Sequence, residues 1–190
     1  MDLWLTLEVF AVAGNLAYTV LMMLNKRIGW LFGIAASSIG TAIFLHQHVY
    51  AQVGLNIFYV VMGIYGWLHW GRGAKGELPI TRRNIIFHMA VITIALFTAG
   101  LLAWSLQQFP DPKHTELDGF VTGLSLIATW LLARRILENW AYWIVADAFG
   151  IWLYLLLGLY WYAGLFAIYV LLSIAGLIRW SREMRDAPDE

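Results

Sequence analysis

Long apolar runs separated by short polar breaks fill most of the chain, and none of them shows the strict one-on, one-off alternation of a half-buried strand. A hydrocarbon core of about 30 Å takes roughly 20 helical residues to cross, and only helices or closed barrels satisfy the backbone inside it. The pattern predicts membrane helices over about 3–24, 28–46, 49–70, 84–107, 118–136, 140–157 and 159–180. Two connections, at His46-Gln47-His48 and at Gly158, are very short. The first run follows Met1-Asp2-Leu3-Trp4, which lacks the basic start of a cleavable signal peptide, and it is too long for the apolar part of one. It is read as the first span. The expected fold class is an all-α integral membrane protein with seven transmembrane helices.

Charge distribution gives the orientation. With seven spans, one face of the membrane receives Lys26, Arg27, Arg72, Lys75, Arg82, Arg83, Arg134, Arg135, Arg179, Arg182 and Arg185, and the other receives Lys113. Basic loops stay cytoplasmic, so the N-terminus is expected outside and the C-terminus inside. Adding or removing one span would scatter these residues over both faces.

Sliding the sequence against itself by 110 positions pairs Trp30 with Trp140, Ile34 with Ile144, Gly40 with Gly150, Tyr50 with Tyr160, Tyr59 with Tyr169, Gly66 with Gly176 and Trp70 with Trp180. Thirteen of the 45 pairs between 26–70 and 136–180 are identical, and the Trp and Gly pairs among them exceed what shared hydrophobicity would produce. Three spans cross the membrane an odd number of times, so a fourth helix is needed to restore the direction before a second copy. The expectation is a single membrane domain with a 3+1+3 parallel repeat, SWEET-like: repeat one at about 3–70, a linker helix at about 84–107 and repeat two at about 118–180. In such a design a substrate lies between the repeats near the midplane, and rocking of one against the other gives alternating access.

Composition narrows the chemistry. Hydrophobic residues make up 61% and charged ones 13% of the 190 residues, about half the charge of an ordinary soluble domain, so lipid is the expected solvent. A net charge of zero removes the electrostatic basis for nucleic-acid binding. The absence of cysteine excludes disulfides, thiolate metal sites and a cysteine nucleophile. Its five histidines have no metal-ligand spacing, and Gly71-Arg72-Gly73 lacks the remainder of a phosphate loop, so neither a metal nor a cofactor is expected.

Two polar-aromatic stripes stand out. In span six, Asn139, Trp140, Trp143 and Asp147 recur at helical spacing, and a carboxylate deep in a span is costly unless it faces a cavity or a partner. Its structural alternative is a helix-to-helix hydrogen bond by a protonated Asp147. Span three offers Gln52, Asn56, Tyr59 and Trp67 on one stripe, whose amides can read a carboxamide or sugar hydroxyls, or can bond a neighbouring helix. Trp30 starts span two as the repeat partner of Trp140. Trp4, Trp70, Trp104, Trp161 and Trp180 lie near span ends and are expected to form interfacial belts. Gly63, Gly66 and the run Ala35-Ala36-Ser37-Ser38 with Gly40 are expected to permit close helix approach. The tail from Ser181 to Glu190 is read as a frayed polar end.

The stretches Tyr50 to Trp70 (YAQVGLNIFYVVMGIYGWLHW) and Glu138 to Tyr160 (ENWAYWIVADAFGIWLYLLLGLY) carry an Asn-Trp-x-x-Trp and a Tyr-Gly-Trp-x-x-Trp element. With these the chain resembles, over nearly its whole length, the PnuC family of bacterial vitamin-precursor transporters, whose best-known members carry nicotinamide riboside. The resemblance implies a SWEET-like homotrimer in the bacterial inner membrane, with one pathway per protomer and facilitated diffusion without ions or ATP. A cytoplasmic kinase that phosphorylates the substrate would make uptake net. The family's span-six motif maps onto Asn139, Trp140 and Trp143, which would clasp the aromatic base and its amide; aromatic faces add about 0.5–2 kcal/mol of cation–π attraction to a cationic ring. Against the pattern the resemblance implies for members that carry nicotinamide riboside, which often have Gln at the position of Asn56 and sometimes Asn at that of Asp147, this chain has the shorter amide and the acid. An acid suits a cationic ligand, which keeps thiamine as a competing substrate.

Other classes fit less well. A retinal protein needs a lysine in its last span, and 159–180 contains none. An intramembrane enzyme needs several converging ionisable groups, whereas Asp147 is the deep one. A scaffold would use the repeat merely to build a bundle.

Overall fold

The computed structural model describes residues 3–72, 78–109 and 113–186; Lys75 lies outside them. Seven helices follow one another: α1 (Leu3–Met23), α2 (Gly29–His46), α3 (Tyr50–Trp70), α4 (Ile85–Leu106), α5 (Thr115–Ala133), α6 (Asn139–Leu156) and α7 (Tyr160–Arg185). Helices α1 to α5 and α7 are long and apolar enough to cross a membrane. The 18-residue α6 falls outside that group because Asn139 and Asp147 lower its apolarity.

Two compact units form, Met1–Pro79 with α1 to α3 and Ile80–Glu190 with α4 to α7. In the first, α2 packs on both α1 and α3; in the second, α4 packs on α5, α5 on α6 and α6 on α7.

The two units repeat their local geometry at the offset found in the sequence. Helices α1 and α5 end at Met23 and Ala133, α2 and α6 run from Gly29 to His46 and from Asn139 to Leu156, and α3 and α7 start at Tyr50 and Tyr160. Left-handed residues recur too, at Asn25 (φ 57°) and Arg135 (φ 54°), and at His48 (φ 62°) and Gly158 (φ 72°). Each closes a helix with paired hydrogen bonds to orphan carbonyls. Lys26 N donates to Leu21 O and Asn25 N to Met22 O; Ile136 N donates to Leu131 O and Arg135 N to Leu132 O. The same pattern ends α2 and α6, through Val49 N to Phe44 O and Leu159 N to Tyr154 O. Gly158 adopts its φ without steric cost, whereas Arg135 adopts it against the preference of a side chain.

These caps explain the main boundary differences. Helix α5 stops at Ala133 rather than near 136, because the left-handed Arg135 turns the chain and sends the apolar Ile136 and Leu137 into a buried turn. That turn is strapped by Thr81, whose N–H donates to Arg135 O and whose carbonyl accepts from Leu137 N, each at 2.9 Å. Helix α7 continues to Arg185 instead of fraying at Ser181: Arg179 Nε donates to Glu183 at 2.8 Å, and Arg182 and Arg185 complement the negative end of the helix dipole.

Close approaches are built on small residues. A Cβ at Gly119 would lie 2.6 Å from Ala99 O, and one at Gly123 would lie 3.0 Å from Ala95 O, so α5 meets α4 nearly backbone to backbone along Ala95, Ala99 and Ala103.

Each unit also holds an edge-on indole pair. Trp30 meets Trp70 with centroids 5.6 Å apart at 89°, and Trp140 meets Trp180 at 5.5 Å and 89°. All four rings are buried, which corrects the reading of Trp70 and Trp180 as belt residues; Trp104 and Trp161 are exposed as a belt requires. Gly66 and Gly176 make room, since a Cβ on either would run into the indole of Trp30 or Trp140.

The first unit carries a clasp that the second lacks the residues to form. Arg27 places its guanidinium 4.0 Å from the centroid of Trp67 and donates from Nε to Trp67 O at 2.8 Å, while Gly71 leaves space beside it. The equivalent positions in the second unit are Leu137 and Leu177. Arg27→Leu should therefore cost about 2 kcal/mol of stability, from a charge-assisted hydrogen bond and a cation–π contact. Adding Trp67→Leu should recover much of that loss by recreating the apolar contact of the second unit. Thermal unfolding in detergent measures both.

Candidate functional site

The α6 stripe places its polar groups differently from the equivalent stripe of α2. Asn139, Trp140 and Asp147 are all buried, and they stand where the first unit has Gly29, Trp30 and Ser37. Asn139 donates from Nδ2 to Ile136 O at 2.7 Å, which stiffens the turn into α6 and leaves Oδ1 buried without a partner among the described residues. Trp140 packs a ring face against Gly176 and an edge against Trp180, with its Nε1 donor likewise unmatched. Such atoms are costly when dry, by about 1–3 kcal/mol each, and so mark where water or a ligand would be taken.

Asp147 accepts a hydrogen bond from the buried Ser173 of α7, and Tyr169 lies close by. Ser173 stands where the first unit has Gly63, and Ser37 stands at the position of Asp147. One unit thus holds an acid and its donor where the other holds two small groups. Asp147 thus has a hydrogen-bonding partner on the neighbouring helix, as a carboxyl group inside a bundle requires. Trp143 is half-buried and packs on the apolar cluster of Val91, Ala95, Leu124 and Tyr142, so its ring turns away from the Trp140 side of α6.

In the first unit, Asn56 donates from Nδ2 to Gln52 O at 2.9 Å, and its Oδ1 lies over Gly40, where a Cβ would come within 2.5 Å. The second unit fills the equivalent place over Gly150 with Phe166. Gln52 and Tyr59 are half-buried on the same stripe. Trp67 already carries Arg27 on its ring, and Trp30 is fully packed, with an unmatched Nε1 like its partner in the repeat. Within each unit, the structure therefore groups Gln52 with Asn56, and Asn139 with Trp140, while Trp67 is engaged by a cation of its own chain.

Sequence reading missed Ser173, Tyr169 and Arg27. Ser173 had a signal, since the 110-residue offset lays it on Gly63 one helix away from the substitution of Ser37 by Asp147. Arg27 had none, because nothing in its spacing points to Trp67.

Comparison with known proteins extends this geometry. Residues 5–182 match the family described as Nicotinamide mononucleotide transporter. The chain is 22% identical over 208 residues to the nicotinamide riboside transporter PnuC of Escherichia coli (strain K12), covering 95% of this chain and 87% of that protein. It is 24% identical to the riboflavin/roseoflavin transporter RibM of Streptomyces davaonensis, covering 97% and 95%. Its fold is similar to the crystal structure of the vitamin B3 transporter PnuC, with a TM-score of 0.73 at 21% identity over 94% of this chain and 82% of that one. Six apolar helices and this match make the protein a multi-pass membrane protein. By a match that spans nearly all of its length, the chain belongs to the nicotinamide mononucleotide transporter family.

Proposed function

We propose that the protein carries nicotinamide riboside across the membrane by facilitated diffusion. The observation that carries this reading is the polar set on α6: buried Asn139 and Trp140 with an unmatched acceptor and an unmatched donor, and a buried Asp147, in a helix of bilayer length. An amide acceptor suits a carboxamide N–H, an indole donor suits a carbonyl or hydroxyl oxygen, and a carboxylate suits a cationic pyridinium ring. The names of the relatives supply the substrate class. Gln52, Asn56, Tyr59, Trp67, Trp30 and Trp143 are the remaining members of the proposed binding set.

The 110-residue repeat supports two copies that enter the bilayer the same way up within one membrane domain, with α4 as the direction-restoring linker. The eleven-to-one split of basic residues supports an outside N-terminus and a cytoplasmic C-terminus in a bacterial inner membrane. A homotrimer and net uptake driven by a cytoplasmic kinase complete the proposal. Binding without catalysis is its chemistry: no bond of the substrate is broken.

Reconstituted protein should take up labelled nicotinamide riboside saturably with no ion gradient and no ATP. Excess unlabelled thiamine and riboflavin serve as competitors that rank the substrates. Absence of saturable flux for nicotinamide riboside would sink the proposal, and flux of thiamine or riboflavin alone would reassign the cargo.

A further inference from the structure

Linker helix α4 touches the start of α6 through a polar group that the transport reading does not use. His88 of α4 has Nδ1 3.0 Å from the Tyr142 hydroxyl and Nε2 3.7 Å from a carboxylate oxygen of Glu138. Glu138 and Tyr142 are one turn apart and flank Asn139 and Trp140 on the chain. His88 thus reaches both ends of the turn that carries the unmatched Asn139 Oδ1 and Trp140 Nε1. The strap through Thr81 fixes the residues just before that turn, by its bonds to Arg135 and Leu137.

The repeat supplies an internal control. At the positions of Glu138 and Tyr142 the first unit has Ile28 and Phe32, which are 48% and 42% exposed and offer no polar group. The polar clasp is therefore specific to the copy whose helix carries Asn139 and Asp147.

We propose that His88 is a positioning residue: through Tyr142 and Glu138 it holds the first turn of α6 in the geometry in which Asn139 and Trp140 meet the substrate. This rests on the transport reading for its consequence in binding, but the positioning itself is measurable without any ligand. The tie acts as one unit, so losing either partner of the His88–Tyr142 bond frees the same turn.

The protein has no cysteine, so Asn139→Cys creates a single buried thiol that reports opening of this turn by its rate of alkylation. In that background His88→Ala and Tyr142→Phe should each speed alkylation about three- to tenfold, the size of one net hydrogen bond. The double variant should be no faster than the faster single one, and His88→Asn, whose amide can donate to or accept from the Tyr142 hydroxyl, should stay near the parent rate. A thiol at Ala36→Cys in the first unit should be unaffected. With Asn139 intact, Tyr142→Phe should raise the dissociation constant for nicotinamide riboside severalfold and leave maximal flux nearly unchanged. Unchanged alkylation in both single variants, or additive rates in the double, overturns the proposal. Faster alkylation in a protein that binds no nicotinamide riboside upholds the positioning and defeats the transport reading instead. Tyr142→Phe removes only a hydroxyl, so it remains informative where His88→Ala fails to fold.

Discussion

Asp147→Asn should lower uptake of nicotinamide riboside at least tenfold while shifting the thermal midpoint by no more than about 2 °C. The substitution keeps size, shape and an acceptor oxygen for Ser173, so the bond between α6 and α7 survives. What disappears is the capacity to present a negative charge to a cationic ring. A unit charge pair at roughly 6 Å and an effective dielectric of 20 is worth about 3 kcal/mol, more than a hundredfold in binding before water and counter-charges reduce it. Ser173→Ala makes the opposite change: it deprives the carboxylate of its donor, costs about 1 kcal/mol of stability and weakens uptake less. Should Asp147→Asn transport normally while Asp147→Ala does not, Asp147 is a helix clasp and the polar set on α6 loses its charged member.

Gly176→Ala should be among the most destabilising single methyl additions in the chain. An added Cβ would lie 2.6 to 2.8 Å from three carbons of the Trp140 indole. That ring is buried and boxed edge-on by Trp180, so relief requires moving α7 or rotating Trp140 away from its pair. Overpacking of this kind costs about 1–3 kcal/mol. Gly66→Ala repeats the experiment in the first unit against Trp30. Gly54→Ala and Gly164→Ala form the matched control, since both glycines share the 110-residue relation and nothing lies within 4 Å of an added Cβ at either. Alanine's better helix propensity should make those two neutral to slightly stabilising, by up to about 1 kcal/mol. Tryptophan fluorescence during thermal unfolding in detergent reads all four. Equal loss at Gly54 and Gly66 would show that helix packing against the indoles is not what limits stability.

The two tests separate parts of the site that sequence spacing merges. Helical periodicity put Trp140, Trp143 and Asp147 on one face, and in the structure Trp140 and Asp147 do turn toward α7. Trp143 sits a few tens of degrees round the helix and joins the α4–α5–α6 cluster instead. Removing Trp143 should therefore loosen the packing of α4, whereas removing Trp140 strikes the indole pair.

The seven helices, their order and the 110-residue repeat were legible in the chain because a lipid solvent demands long apolar helices, and because duplicated Trp and Gly positions survive as identities. Outliers such as Asp147 and Asn139 were legible for the same reason, a polar group being conspicuous where water is absent. Periodicity states which face of a helix a residue occupies, but not which neighbour meets that face. So Trp70 and Trp180, at belt depth in the sequence, turned out to be buried partners of Trp30 and Trp140, and Arg27 came to rest on Trp67, 40 residues away. The tertiary structure alone decided these pairings, because contact across helices is fixed by where small residues such as Gly66 and Gly176 let two backbones close, and that depends on both helices at once.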